Sequence, residues 1–134
     1  MNHVTSTVGV VLVSHSARLA QGAAELAGQM SAGRARIAHA GGTDDGRLGT
    51  SIALLETAVR SVASEAGVAI IPDLGSSVMT ARVFLDALDG EIKAMLVDAP
   101  FVEGAIAAVV AAAAGLSLAD VVAAAEETRG LTKG

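Results

Sequence analysis

Residues 8–13 read Val-Gly-Val-Val-Leu-Val, an unbroken apolar run, and the polar triplet Ser14-His15-Ser16 closes it before a helix-period segment begins. A strand with one wet face alternates apolar and polar side chains. A strand that is apolar throughout has to be covered on both faces, which is the condition of a central strand in a parallel sheet. In open parallel sheets, ligands and chemistry collect at the carboxyl ends of the strands. His15 therefore stands where a reactive side chain is useful, and we read it as functional in preference to a loop histidine without a role.

The rest of the chain alternates strand and helix. Ser16 is a residue type that caps helices, and Leu19, Ala23, Leu26, Ala27 and Met30 then recur on one helical face. Residues 36–40 form a second strand, followed by the loop Gly41-Gly42-Thr43-Asp44-Asp45-Gly46-Arg47-Leu48-Gly49. Thr50 or Ser51 caps a helix with Ile52, Leu55, Val59 and Val62 on one face, and Gly67 is placed to end it. A third strand, 68–71, closes on Pro72-Asp73-Leu74-Gly75-Ser76-Ser77. A helix over about 78–88 and the turn Asp89-Gly90 lead to a fourth strand, 93–97, which closes on Asp98-Ala99-Pro100. Two helices, about 102–114 and 118–128, complete the chain, with Ser117 capping the second. Strands separated by helices imply right-handed βαβ units. The expected fold is α/β, a mostly parallel four-stranded sheet sandwiched by helices, in a single domain over residues 1–134.

Composition removes several function classes. The chain has no Cys, so disulfides, thiol nucleophiles and thiolate metal sites are excluded. A formal charge of −5 gives no basic footprint for nucleic acid. The apolar stretch 105–114 falls well short of the roughly 20 residues that span a bilayer, and Met1-Asn2-His3 lacks the regions of a signal peptide. A cytoplasmic protein that binds neither nucleic acid nor membrane is the simplest expectation. The stretch around Val110 is apolar nearly all round, so it is either buried within the domain or covered by a second subunit.

The topology gathers Ser14-His15-Ser16, the loop from Gly41, Asp73 with Gly75 and Ser76, and Asp98 at one sheet edge. His15 offers an imidazole nitrogen that is nucleophilic when neutral. Asp73 could accept the proton of the other ring nitrogen, fixing the tautomer and stabilising positive charge on the ring. Backbone N–H groups at the helix starts after Ser16 and Ser76 are donors for an anion. Gly41 and Gly42 allow backbone to approach a bulky group, with Thr43 beside them. The set suits a histidine that accepts and releases a phosphoryl group. Arg18 and Arg47 steer an anion or are solvated surface charge. His39, inside an apolar strand, reads as a core or partly exposed residue, and His3 is assigned no role.

These residues resemble a known family. The segments Val10-Val11-Leu12-Val13-Ser14-His15-Ser16, Gly41-Gly42-Thr43-Asp44-Asp45-Gly46 with Gly49-Thr50-Ser51, Asp73-Leu74-Gly75-Ser76, and Asp98-Ala99-Pro100 with Val102-Glu103-Gly104 look like the phosphotransferase subunit of dihydroxyacetone kinase. That subunit is similar to the IIA domain of mannose-type sugar phosphotransferase systems. The motifs occur in order over nearly the whole chain, and the Gly-Gly-Thr-Asp-Asp-Gly loop favours the dihydroxyacetone branch. The resemblance implies a phosphotransferase component. It would accept a phosphoryl group originating on phosphoenolpyruvate, delivered by the phosphocarrier HPr, and hold it on His15. From there the group would pass to ADP on a nucleotide-binding kinase subunit that serves a dihydroxyacetone-binding subunit. It also implies a homodimer, no cofactor bound by this subunit, and a place in glycerol metabolism. Three alternatives stand beside it: the IIA component of a mannose-type sugar transporter; a non-enzymatic binding or regulatory module of flavodoxin-like shape, which leaves the His15–Asp73 pairing without a purpose; and a small class II tetrapyrrole chelatase, whose beginning Ser14-His15-Ser16 and Arg18 also resemble. The chelatase would need further ligands, and no His follows His39.

Overall fold

The computed structural model of the chain describes residues 6–134, so His3 and the triplet read above for a leader lie outside the described residues. All six residues of β1 (Gly9–Ser14) and all five of β3 (Val68–Pro72) are buried. They are the two inner strands of a sheet ordered β2-β1-β3-β4, in which every pairing is parallel. The outer strands β2 (Arg36–Gly41) and β4 (Ala94–Leu96) are only partly covered. The expected layered α/β architecture is the one observed. The fourth strand, Ala94–Leu96, is shorter than the 93–97 run expected of it, pairing with β3 over three residues.

Two hydrophobic cores lie on opposite faces of the sheet. Alternation along β1 sends Val10 and Leu12 to one face and Val11 and Val13 to the other. The first core is closed by α1 (Ala17–Met30), α4 (Phe101–Ala113) and α5 (Leu118–Glu127). The second is closed by α2 (Ile52–Val62) and α3 (Gly75–Leu88). Ser16, Ser51 and Ser117 cap α1, α2 and α5, each hydroxyl accepting from the backbone N–H three residues on.

Three local expectations are corrected, and one left open is resolved. On α1 the residues against the sheet are Ala20, Ala23 and Ala27, while Leu19, Leu26 and Met30 are 45%, 39% and 52% exposed. A helix lying this close to a sheet takes small side chains at the contact, and the larger ones move to its flank. Gly67 does not end α2, which stops at Val62. It makes the turn into β3 at φ +101°, and its carbonyl accepts from Gly9. Helix α3 begins at Gly75, three residues earlier than its apolar period suggests, with Leu74 in extended backbone before it and Val78 N–H bonded to Leu74 C=O. The apolar helix α4 packs on α1, α5, β1 and β3, so most of it is buried within the domain, with Val110 left 48% exposed.

Gly41 ends β2 against the first residues of α1. A Cβ there would lie 2.5 Å from the Ser16 carbonyl oxygen and 2.8 Å from Ala17 Cα. Both obstacles are backbone and cannot swing away. Gly41→Ala should therefore cost about 1–3 kcal/mol, the usual range for overpacking, read as a lowered urea midpoint, whereas Gly75→Ala, with open space around its Cβ position, should cost less.

Candidate functional site

Strand register builds the site. Ser14 of β1 pairs with Gly41 of β2, and Val13 pairs with Pro72 of β3. Each strand therefore ends at the same level, and the next residues, His15, Gly42 and Asp73, emerge side by side. The ladder continues one step past the strands, with Gly42 N–H bonded to Ser14 C=O and Asp73 N–H to Val13 C=O. His15 and Asp73 are thus fixed by sheet backbone before their side chains interact.

The side chains then converge on one carboxylate. Asp73 Oδ1 lies 3.3 Å from His15 Nδ1 and accepts from Ser77 Oγ at 2.6 Å and from Leu74 N–H at 2.8 Å. Asp73 Oδ2 accepts from Ser14 Oγ at 2.8 Å and from His15 N–H at 3.2 Å. Burial is the largest single influence on Asp73 and opposes its charged form. The hydrogen bonds from Ser77, Ser14 and His15 together outweigh it and hold the carboxyl below its ordinary value. An ionised Asp73 beside Nδ1 assigns the ring proton to Nδ1, shared with Ser77 Oγ at 3.2 Å, and leaves the lone pair on Nε2. Nε2 meets the hydroxyl of Ser76. The His15 side chain is 26% exposed and that of Asp73 7%, so the carboxylate is sheltered while the ring reaches the surface.

The other expected residues fall into two groups. Ser16 caps α1 beside His15, its N–H bonded to Ser14 Oγ at 3.0 Å. Gly75 and Ser76 occupy the first turn of α3, where Ser76 offers its side chain to the ring as well as its backbone. Gly41, Gly42 and Thr43 sit at the expected edge, but their close approaches are to the protein itself. Gly41 faces Ser16 and Ala17, and a Cβ on Gly42 would lie 2.9 Å from the Arg47 carbonyl oxygen. Thr43 folds into its own loop, its N–H bonded to Arg47 C=O at 2.8 Å and its hydroxyl to Asp45. The loop is a hydrogen-bonded turn, tied to the site by Gly49 N–H on the His15 carbonyl at 2.9 Å. Asp98 is not drawn to His15. It pairs with Arg129 at 2.8 Å, and its N–H bonds Glu126, joining the last helical turns to the end of β4. Arg47 pairs with Asp45, Glu103 with Lys133, and Arg18 lies exposed on α1. His39 is exposed on the edge strand β2. Sequence reasoning placed Ser14 at the site's edge without giving it a role, and missed Ser77. Ser14 was visible as the last residue of a buried strand, where a hydroxyl needs a partner. Ser77 was read as part of a turn because the start of α3 was placed too late.

The parallel sheet thus carries a histidine at the end of β1 and an aspartate at the end of the neighbouring β3, an arrangement that suits a phosphoryl-carrying histidine. Residues 9–122 match the family described as PTS system fructose IIA component, and the chain belongs to it. Within it the relatives are more particular. The chain is 36% identical over 105 residues to the Listeria innocua protein "PEP-dependent dihydroxyacetone kinase 2, phosphoryl donor subunit DhaM", covering 77% of this chain and 84% of that one. It is 41% identical over 120 residues to the Escherichia coli "PEP-dependent dihydroxyacetone kinase, phosphoryl donor subunit DhaM", covering 86% of this chain but only 25% of that one. Among solved structures, a protein of unknown function, EF1359, superposes with a TM-score of 0.79 at 31% identity, over 96% of this chain and 98% of that one. The dihydroxyacetone kinase of C. freundii shares the fold over 93% of this chain and 25% of that one, with a TM-score of 0.64 at 17% identity.

Proposed function

We propose that this protein is the phosphoryl-donor component of a phosphoenolpyruvate-dependent dihydroxyacetone kinase, carrying the phosphoryl group on His15 Nε2. One observation carries the reading: Asp73 occupies Nδ1 and leaves Nε2 with its lone pair at the open edge of the sheet. The match to a phosphotransferase-system family and to relatives named as phosphoryl donor subunits supports it. The protein acts as a carrier between catalytic partners and is not itself a kinase.

In the first step the Nε2 lone pair attacks the phosphorus of a phosphohistidine on HPr. The donor's N–P bond breaks and its electron pair returns to the donor ring. Positive charge then rests on the His15 ring, facing Asp73, whose ionised carboxylate compensates it. In the second step a terminal phosphate oxygen of ADP, held on the nucleotide-binding subunit, attacks the same phosphorus, and the electron pair returns to Nε2. Backbone N–H groups at the start of α3 face the transferring oxygens. Such transfer depends chiefly on positioning and electrostatics, so no cofactor is asked of this chain. The carrier works in the cytoplasm as a homodimer. The exposed apolar side chains Leu26 and Met30 on α1 and Val110 on α4 support a self-association face.

The branch of the family is tested by discharge. Protein phosphorylated through phosphoenolpyruvate, enzyme I and HPr should lose its phosphate in a single turnover to ADP on a dihydroxyacetone kinase subunit, and not to the IIB domain of a mannose-type transporter. The reverse preference would assign it to sugar uptake. Substituting Gly42 and Gly46, both at positive φ in the loop joined to His15, should slow discharge to the kinase subunit more than it lowers stability.

A further inference from the structure

Ser76, His15 and Asp73 form an ordered chain of contacts: Ser76 Oγ on His15 Nε2, and His15 Nδ1 on Asp73 Oδ1 at 3.3 Å. This is the relation of nucleophile, base and orienting carboxylate in serine hydrolases, where the constellation is recognised by geometry across unrelated folds. Three further features fit. Ser76 is the exposed second residue of α3, just past the turn from β3, close to the strand-to-helix position that presents a nucleophilic serine elsewhere. The N–H of the following residue, Ser77, belongs to the first turn of α3, where helical backbone leaves donors unpaired to receive an oxyanion. Asp73 is itself held by Ser14 and Ser77 hydroxyls, as an orienting carboxylate needs to be.

We propose that the unphosphorylated protein has a second activity, acyl transfer from small activated carboxylic esters to Ser76. The Ser76 oxygen attacks the ester carbonyl while its proton passes to His15 Nε2. The tetrahedral intermediate collapses, the His15 imidazolium gives its proton from Nε2 to the departing alkoxide or phenolate, and Ser76 Oγ carries the acyl group. Water, deprotonated by the same Nε2, then cleaves the acyl-serine and restores the serine. The open edge, with Gly75 and Ser76 exposed, restricts no large leaving group and selects for reactivity over size. Because both activities use Nε2, a phosphoryl group on His15 and acylation of Ser76 exclude each other.

The experiment uses the unphosphorylated chain and p-nitrophenyl acetate, so it stands apart from the relay assays that test the phosphoryl-carrier reading. The expected result is a burst of about one equivalent of nitrophenolate per chain, with the acetyl group found on Ser76 by peptide mass. Ser76→Ala and His15→Ala should each lower the burst rate by roughly 10²-fold or more, the scale of a lost nucleophile or base. Ser76→Cys should still be acylated, as a thioester, which guards against a loss caused by misfolding. A burst that survives Ser76→Ala, an acetyl group found on His15, or a wild-type rate no higher than that of Ser76→Ala would overturn the proposal.

Discussion

His15→Ala should abolish phosphorylation by the phosphoenolpyruvate relay. In the wild-type chain the label should be acid-labile and base-stable, as a phosphoramidate is and a phosphoserine is not. The loss should be complete, because among the described residues no other ring nitrogen lies at the site. His39 lies on the outer edge of β2, away from Asp73, and label on His39 in the variant would refute the assignment. The fold should survive, since the His15 side chain covers neither core.

Asp73→Asn should slow phosphorylation by roughly 10²-fold or more, the scale of a lost acid–base partner. The neutral amide keeps the size of the carboxylate but cannot compensate charge on the ring, and it can present an N–H to Nδ1 that favours the wrong tautomer. The same substitution should change how stability depends on pH. The folded-state pKa of Asp73 lies below its ordinary value of 3.8. Ionised Asp73 therefore contributes stability that is present in full above the unfolded value and is lost as pH falls through the folded value. Urea unfolding should show wild type and Asp73→Asn furthest apart near neutral pH and converging in acid below about pH 4. A gap that stays constant from neutral to acid pH, or a normal phosphorylation rate in the variant, would reduce Asp73 to a turn residue.

Much of the architecture was legible because it is written in runs. Val8 to Val13 and Val68 to Ile71 are apolar on both faces, and only a central strand of a covered sheet satisfies that pattern. Strand ends locate chemistry, so His15 and Asp73 could be paired before any coordinate. What was obscured depended on close packing. The alanines of α1 outcompeted its leucines for the sheet because of a contact distance that no periodicity encodes. The role of Gly41 as clearance for the start of α1 looked, in sequence, like room for a ligand. The roles of Ser14 and Ser77 were hidden because a hydroxyl is read by what it touches, and Asp73 lies 59 residues from Ser14 along the chain. Asp98 misled in the opposite direction: it ends a strand at the right edge, yet Arg129 holds it for structural use.

The His15 ring is fastened at Nδ1 by Asp73, while Nε2 meets the exposed Ser76 hydroxyl, and a quarter of the side chain is in contact with water. A phosphoryl group stored there has no wall of its own, so exclusion of solvent falls to whichever protein is docked. On the proposed function, the phosphoryl bond would be a slowly leaking store between dockings. The fraction of phosphate delivered rather than hydrolysed is set by how soon an acceptor arrives. Such a carrier measures, in its own phosphorylation level, the balance between supply from the donor and the abundance of loaded acceptor.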